Sequence, residues 1–199
     1  KQNEIKKMIS QKFEMAELSE EETNHFISIF EKATKIIKNE VNSLEFTLYD
    51  IEKYIQFRTI QNGIFSKSVV LSLIFAYRFS SKELIDKMIR ELSLEKDLFP
   101  NPVFSYNNPP THLIIKIRDD EIERLQIPLY STPKDTSILS KTNSLNSQQK
   151  SCLIILAASL LTKNVSLVQG DTASGKSFLV QLLKELLGAD LVTYQMNSQ

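Results

Sequence analysis

Residues 170–177 read Gly170-Asp171-Thr172-Ala173-Ser174-Gly175-Lys176-Ser177, two glycines five positions apart with a lysine and a hydroxyl residue behind the second. No other feature of the chain constrains its fold as strongly. Backbone N–H groups that wrap around an anion need glycine where a Cβ would block the turn. A helix starting at that loop aims its dipole and its free first-turn N–H groups at the same anion. The flanks agree with this pattern. Val165-Ser166-Leu167-Val168 reads as a short apolar strand, and residues 176–187 read as an amphipathic helix with Gly188 just past its end. The chain has only four glycines and two take the motif's glycine positions, which argues against a chance match. The pattern is that of a P-loop, or Walker A motif. Gly170, Asp171, Thr172, Ala173, Ser174, Gly175, Lys176 and Ser177 are therefore the candidate nucleotide-binding residues, with ATP as ligand. Lys176 would neutralise the β- and γ-phosphates and is the candidate catalytic residue. The Ser177 hydroxyl is the candidate Mg²⁺ ligand.

A phosphate loop binds nucleotide but does not hydrolyse it alone. Hydrolysis also needs a carboxylate to hold Mg²⁺ and a group to orient water. The acids that follow Ser177 are Glu185 and Asp190, and both precede the second strand candidate at residues 191–196. Neither suits the metal-holding role, so this chain by itself is expected not to hydrolyse ATP.

Upstream, residues 1–99 read as helical. Phe26, Ile29, Phe30, Ala33, Ile36 and Ile37 form one apolar stripe, with Ser19 and Glu22 as a capping box. A second helix opens at Thr47 with Asp50 three residues on, places Leu48, Ile51, Tyr54, Ile55 and Arg58 on one face, and stops near Asn62-Gly63. A third runs from Ser66 through Val69, Val70, Leu73, Ile74 and Tyr77. A fourth runs from Ser81 through Leu84, Ile85, Met88, Ile89 and Leu92. Residues 13–18 read as a short strand. Residues 99–110 are rich in proline and asparagine and mark a boundary. Residues 112–117 and 122–129 form a β-hairpin around Arg118-Asp119-Asp120-Glu121. Residues 131–146 are polar and read as a linker, and residues 148–161 as an apolar helix. Three regions result: helices at 1–99, a hairpin-bearing linker at 100–146, and a P-loop region at 147–199. The fold class is mixed α/β and mostly α.

Several functions are disfavoured. Lys+Arg and Asp+Glu are 24 each, so the chain lacks the basic excess of a general nucleic-acid or membrane-surface binder. One cysteine, Cys152, allows no intrachain disulfide, which suits a reducing intracellular compartment. It lies in an apolar helical run and reads as a packing residue. One cysteine with two histidines, His25 and His112, makes a zinc site implausible. No apolar run reaches membrane-spanning length, and no signal peptide is evident. The chain starts at Lys1 without a methionine, which suggests an excised piece.

The run from Val165 to Ser177, followed by Leu191-Val192-Thr193-Tyr194-Gln195-Met196-Asn197-Ser198-Gln199, resembles the dynein-related AAA+ modules of the midasin family. In those modules a G-x-T-x-[S/T]-G-K-[T/S] loop precedes a strand that runs into an N-M-x-Q segment, which Met196-Asn197-Ser198-Gln199 resembles in residue types with the first two exchanged. Asn146-Ser147-Gln148-Gln149-Lys150 resembles the entry helix of such modules. Residues 46–54 resemble the lid helix of the preceding module, and residues 9–13 the end of its core. The hairpin resembles the strand pair that leads from one module to the next. Tyr49 stands where the family's lid often carries a sensor arginine, and Lys12 where it often carries a finger arginine. Lysine cannot reproduce bidentate guanidinium contacts, so at those positions the resemblance implies a weakly hydrolysing upstream module; the alternative reading is that Tyr49 and Lys12 are surface or packing residues.

The implied fold is a helical AAA+ lid-type domain, a β-hairpin linker and the N-terminal part of a P-loop NTPase α/β core. The implied function is that of a mechanoenzyme that binds and hydrolyses ATP with Mg²⁺ and remodels pre-60S ribosomal particles. Its implied partners are neighbouring AAA+ modules of the same polypeptide and pre-ribosomal proteins, with no membrane or direct nucleic-acid partner. The implied location is nuclear or nucleolar. In the family's strand order, 5-1-4-3-2, the first two strands are not neighbours, so the last part of this chain is expected to be poorly ordered without further residues. Two other readings stand beside this one: a MoxR-like, restriction-type or other P-loop ATPase, and a helical interaction domain with a non-functional P-loop.

Overall fold

The computed structural model describes residues 2–40, 46–79, 81–117, 124–133, 135–162, 175–190 and 192. The chain divides into two compact units, Lys1–Leu98 and Phe99–Gln199.

The first unit is helical: α1 (Gln2–Met15), α2 (Glu20–Glu40), α3 (Leu48–Thr59), α4 (Lys67–Phe75) and α5 (Lys82–Leu92). The expected stripe of α2 is buried, from Phe26 to Ile37. Phe26 is the centre of an aromatic core, 5.0 Å from the Phe13 ring, 4.6 Å from Tyr54 and 5.5 Å from Phe75. Such tilted contacts suit the ring quadrupoles. The short strand expected at residues 13–18 is not formed. Phe13 ends the helical spacing of Ile9 and Phe13, and both are buried. The chain then closes α1 with Glu17 in the left-handed region (φ 57) and a bond from the Leu18 N–H to the Phe13 carbonyl.

Ser19 caps α2 as its sequence predicts, accepting from the Glu22 N–H at 3.1 Å. The other half of that capping box is replaced by a tertiary contact. The Glu22 carboxylate accepts from the Tyr54 hydroxyl (2.7 Å) and from the Arg58 guanidinium (2.7 and 3.2 Å). Burial pushes the Glu22 carboxyl up, and the bonds from Arg58 and Tyr54 outweigh it, leaving the group below the ordinary carboxylate range. At α3 the Thr47 N–H donates to Asp50 at 2.7 Å, and Arg78 pairs with the same carboxylate at 2.8 Å.

The second unit contains an antiparallel sheet of β1 (Val103–Tyr106), β2 (His112–Lys116) and β3 (Arg124–Pro128), in the order β1-β2-β3. The hairpin strands were expected; their turn at 118–121 lies outside the described residues. β1 was not expected, because its four residues lie within the proline-rich stretch read as a boundary. Phe104 opposite Ile115, and Ile115 opposite Leu125, place one row of apolar side chains on the inner face. Residues 131–146 are not a plain linker. They hold a 3₁₀ turn (Thr136–Leu139) and α6 (Ser140–Asn143), with Ile138, Thr142 and Leu145 buried. Then come α7 (Ser147–Leu161) and α8 (Lys176–Leu187). The strand candidates at 165–168 and 191–196 lie outside the described residues, Val192 excepted, which is exposed.

The C-terminal end of α8 is tied to the sheet. The Tyr106 hydroxyl donates to the Leu186 carbonyl (2.8 Å), the Tyr130 N–H to Leu187 (2.9 Å) and the Ser131 hydroxyl to Gly188 (2.6 Å). Three carbonyls that a helix end leaves unpaired are thereby satisfied. Burial raises the Tyr106 phenol to about 12. Gly188 takes the left-handed cap (φ 60), and a Cβ there would lie 2.4 Å from the Ser131 carbonyl oxygen. Gly188→Ala is expected to cost roughly 2–3 kcal/mol, from the left-handed backbone and the displaced Ser131. Urea unfolding of the chain checks this.

Candidate functional site

α8 is the helix expected behind the phosphate loop, with the expected bounds. Leu179, Leu182, Leu183, Leu186 and Leu187 bury one side of it, while Ser177 and Phe178 in its first turn are exposed. Its first turn differs from those of four other helices. Ser19 at α2, Ser66 at α4, Ser81 at α5 and Asn146 at α7 each accept a hydrogen bond from a first-turn N–H. α8 is preceded by Gly175, in the left-handed region (φ 84, ψ 13), a residue with no side chain to serve as a cap. Its carbonyl accepts from the Leu179 N–H at 3.0 Å. The backbone thus turns into α8 through a glycine, and the positive end of the helix dipole lies at this start.

Lys176 and Ser177 are the first two residues of α8; Lys176 is half-buried and Ser177 exposed. An exposed hydroxyl beside a helix start fits a Mg²⁺ that keeps most of its water and takes its other ligands from phosphate. The remaining members of the predicted set, Gly170, Asp171, Thr172, Ala173 and Ser174, lie outside the described residues.

The two acids after the motif are placed away from this start. Glu185 lies eight residues along α8, about 12 Å at the helical rise. It accepts from Gln181 (3.1 Å) and pairs with Lys141 (3.1 Å), and these two partners hold its carboxyl below the ordinary range. Asp190 follows the Gly188 cap.

Sequence reasoning passed over one neighbour of the motif. Asn146 and Gln149 form the capping box of α7, and the Gln149 Nε2 would lie 3.4 Å from a Cβ built on Gly175. The N-x-x-Q spacing ahead of an apolar run signals the capping box but not its approach to Gly175.

In the first unit, Lys12 stands on α1 and pairs with Glu52 of α3 at 2.7 Å. Tyr49, on the first turn of α3, is half exposed with the Lys53 ammonium 5.2 Å from its ring. Cys152 is half-buried and burial raises its thiol, which disfavours the nucleophilic thiolate. Among the described residues no helix is long and apolar enough to cross a membrane. No family model, curated protein or solved structure matches this chain.

Proposed function

We propose that the start of α8, with the loop before it, binds the phosphates of ATP together with Mg²⁺. The observation that carries this is a coincidence of sequence and geometry. The second glycine of the G-x-x-x-x-G-K-S spacing takes the left-handed region and opens a helix at whose start Lys176 and Ser177 stand. Lys176 then supplies the cation for the β- and γ-phosphates and Ser177 one oxygen for the metal. On the resemblance to the midasin family, the full-length protein is an AAA+ mechanoenzyme that hydrolyses ATP and remodels pre-60S ribosomal particles in the nucleus. Its lid-type helices and P-loop core would work against neighbouring modules of the same polypeptide.

Ser177→Ala tests the site. The variant is expected to keep metal-free ATP binding, because the backbone donors and Lys176 remain. It is expected to lose the gain in affinity that Mg²⁺ gives the unsubstituted chain, roughly tenfold for one ligand to a hard cation. Titrations with Mg²⁺ and with EDTA check this; a Mg²⁺ gain that survives in the variant sinks the assignment of Ser177. The wider role is tested by depleting the full-length protein in its host. Pre-60S particles should accumulate, and their normal maturation would contradict the family reading.

A further inference from the structure

Gln149 and Asn146 exchange two hydrogen bonds. The Gln149 backbone N–H donates to Asn146 Oδ1 at 2.9 Å, and its side-chain Oε1 accepts from the Asn146 N–H at 3.1 Å. A backbone N–H only donates, so the side-chain atom facing it is the oxygen, and the amide orientation follows. The NH₂ end is thereby turned away from α7 and toward Gly175. Its Nε2 would lie 3.4 Å from a Cβ built on that glycine. The capping box of one helix thus carries a pair of neutral donors to the residue on which the next helix begins.

We propose that Gln149 is a nucleotide-contacting residue, its Nε2 donating to a phosphate oxygen held at the start of α8. This rests on the phosphate-loop reading of residues 170–177 and extends the site to a side chain outside the motif. Three features favour the role. The carboxamide is held in place by the bond to Asn146, so little rotamer freedom is lost on binding. Its NH₂ end offers donors only, which suits an anion. The absent Cβ at Gly175 leaves room between the amide and the backbone.

Gln149→Glu separates this role from capping. Glutamate at the same position still accepts from the Asn146 N–H, because a carboxylate serves that half of a capping box. It removes the donors and faces the phosphate with negative charge. The thermal midpoint should stay within about 2 °C, and Mg-ATP affinity by calorimetry should fall at least about tenfold, the scale of a lost hydrogen bond to a charged group. Gln148→Glu places the same charge one residue away on an exposed position and should change affinity less than about threefold. Unchanged affinity in Gln149→Glu would overturn the proposal, as would an equal loss in Gln148→Glu, which would mark general repulsion. No Mg-ATP binding by the unsubstituted chain would overturn this proposal together with the phosphate-loop reading. Binding that depends on Lys176 but not on Gln149 would overturn this proposal alone.

Discussion

Replacing Lys176 with alanine is expected to weaken Mg-ATP binding at least about a hundredfold. Lysine at this position sits one residue into α8, directly behind Gly175. From there an ammonium contributes charge-assisted bonds to phosphate oxygens, each about 1.5–3 kcal/mol, and roughly 3 kcal/mol in all corresponds to two decades of affinity. The fold should be untouched, since α8 is held by its buried leucines and by the sheet contacts at its far end. Calorimetry, with circular dichroism to confirm helix content, separates the two effects. Equal affinity in the variant would mean that the loop does not meet phosphate.

The second large effect concerns the first unit. Arg58→Ala should destabilise it by about 3 kcal/mol, because it leaves Glu22, a carboxylate on a nearly inaccessible residue, with the Tyr54 hydroxyl and the charge of Lys67 but without its ion-pair partner. It also removes the 2.6 Å bond to the Phe65 carbonyl. For a unit of this size the change corresponds to about 15 °C in its melting midpoint, read by calorimetric scanning. The cluster also sets a pH dependence. The Glu22 carboxyl is held below its ordinary value, so its contribution is fully present above the unfolded carboxylate range. It is lost as pH falls through the lower folded value. Acid unfolding of the first unit should therefore shift to higher pH in Arg58→Ala.

Much of the helical architecture was legible because it rests on local rules. The stripe of α2, the serine caps of α4 and α5 and the glycine end of α8 are periodicity and capping chemistry that sequence carries directly. The failures occur where a tertiary partner decides. Residues 13–18 alternate enough to suggest a strand, but Phe13 is claimed by the Phe26 and Tyr54 rings and stays helical. Glu22 was read as half of a capping box, yet Arg58 and Tyr54 from α3 bind it more strongly than a local N–H would. β1 is four residues long between prolines and exists because β2 offers it an edge. The polar residues 131–146 hide Ile138 and Leu145, two buried side chains too sparse to register as a periodic pattern. At the candidate site the motif named Lys176 and Ser177 by residue type alone. The approach of Gln149 to Gly175 depends on how α7 meets α8, and no spacing in the sequence encodes it.

The central claim is that residues 170–177 close around nucleotide phosphates at the start of α8, and amide hydrogen exchange with and without Mg-ATP addresses it residue by residue. Slowed exchange confined to about residues 171–178, and absent in Lys176→Ala, is the predicted result. Exchange unchanged in that stretch at saturating Mg-ATP, or protection that appears only elsewhere in the chain, would contradict it.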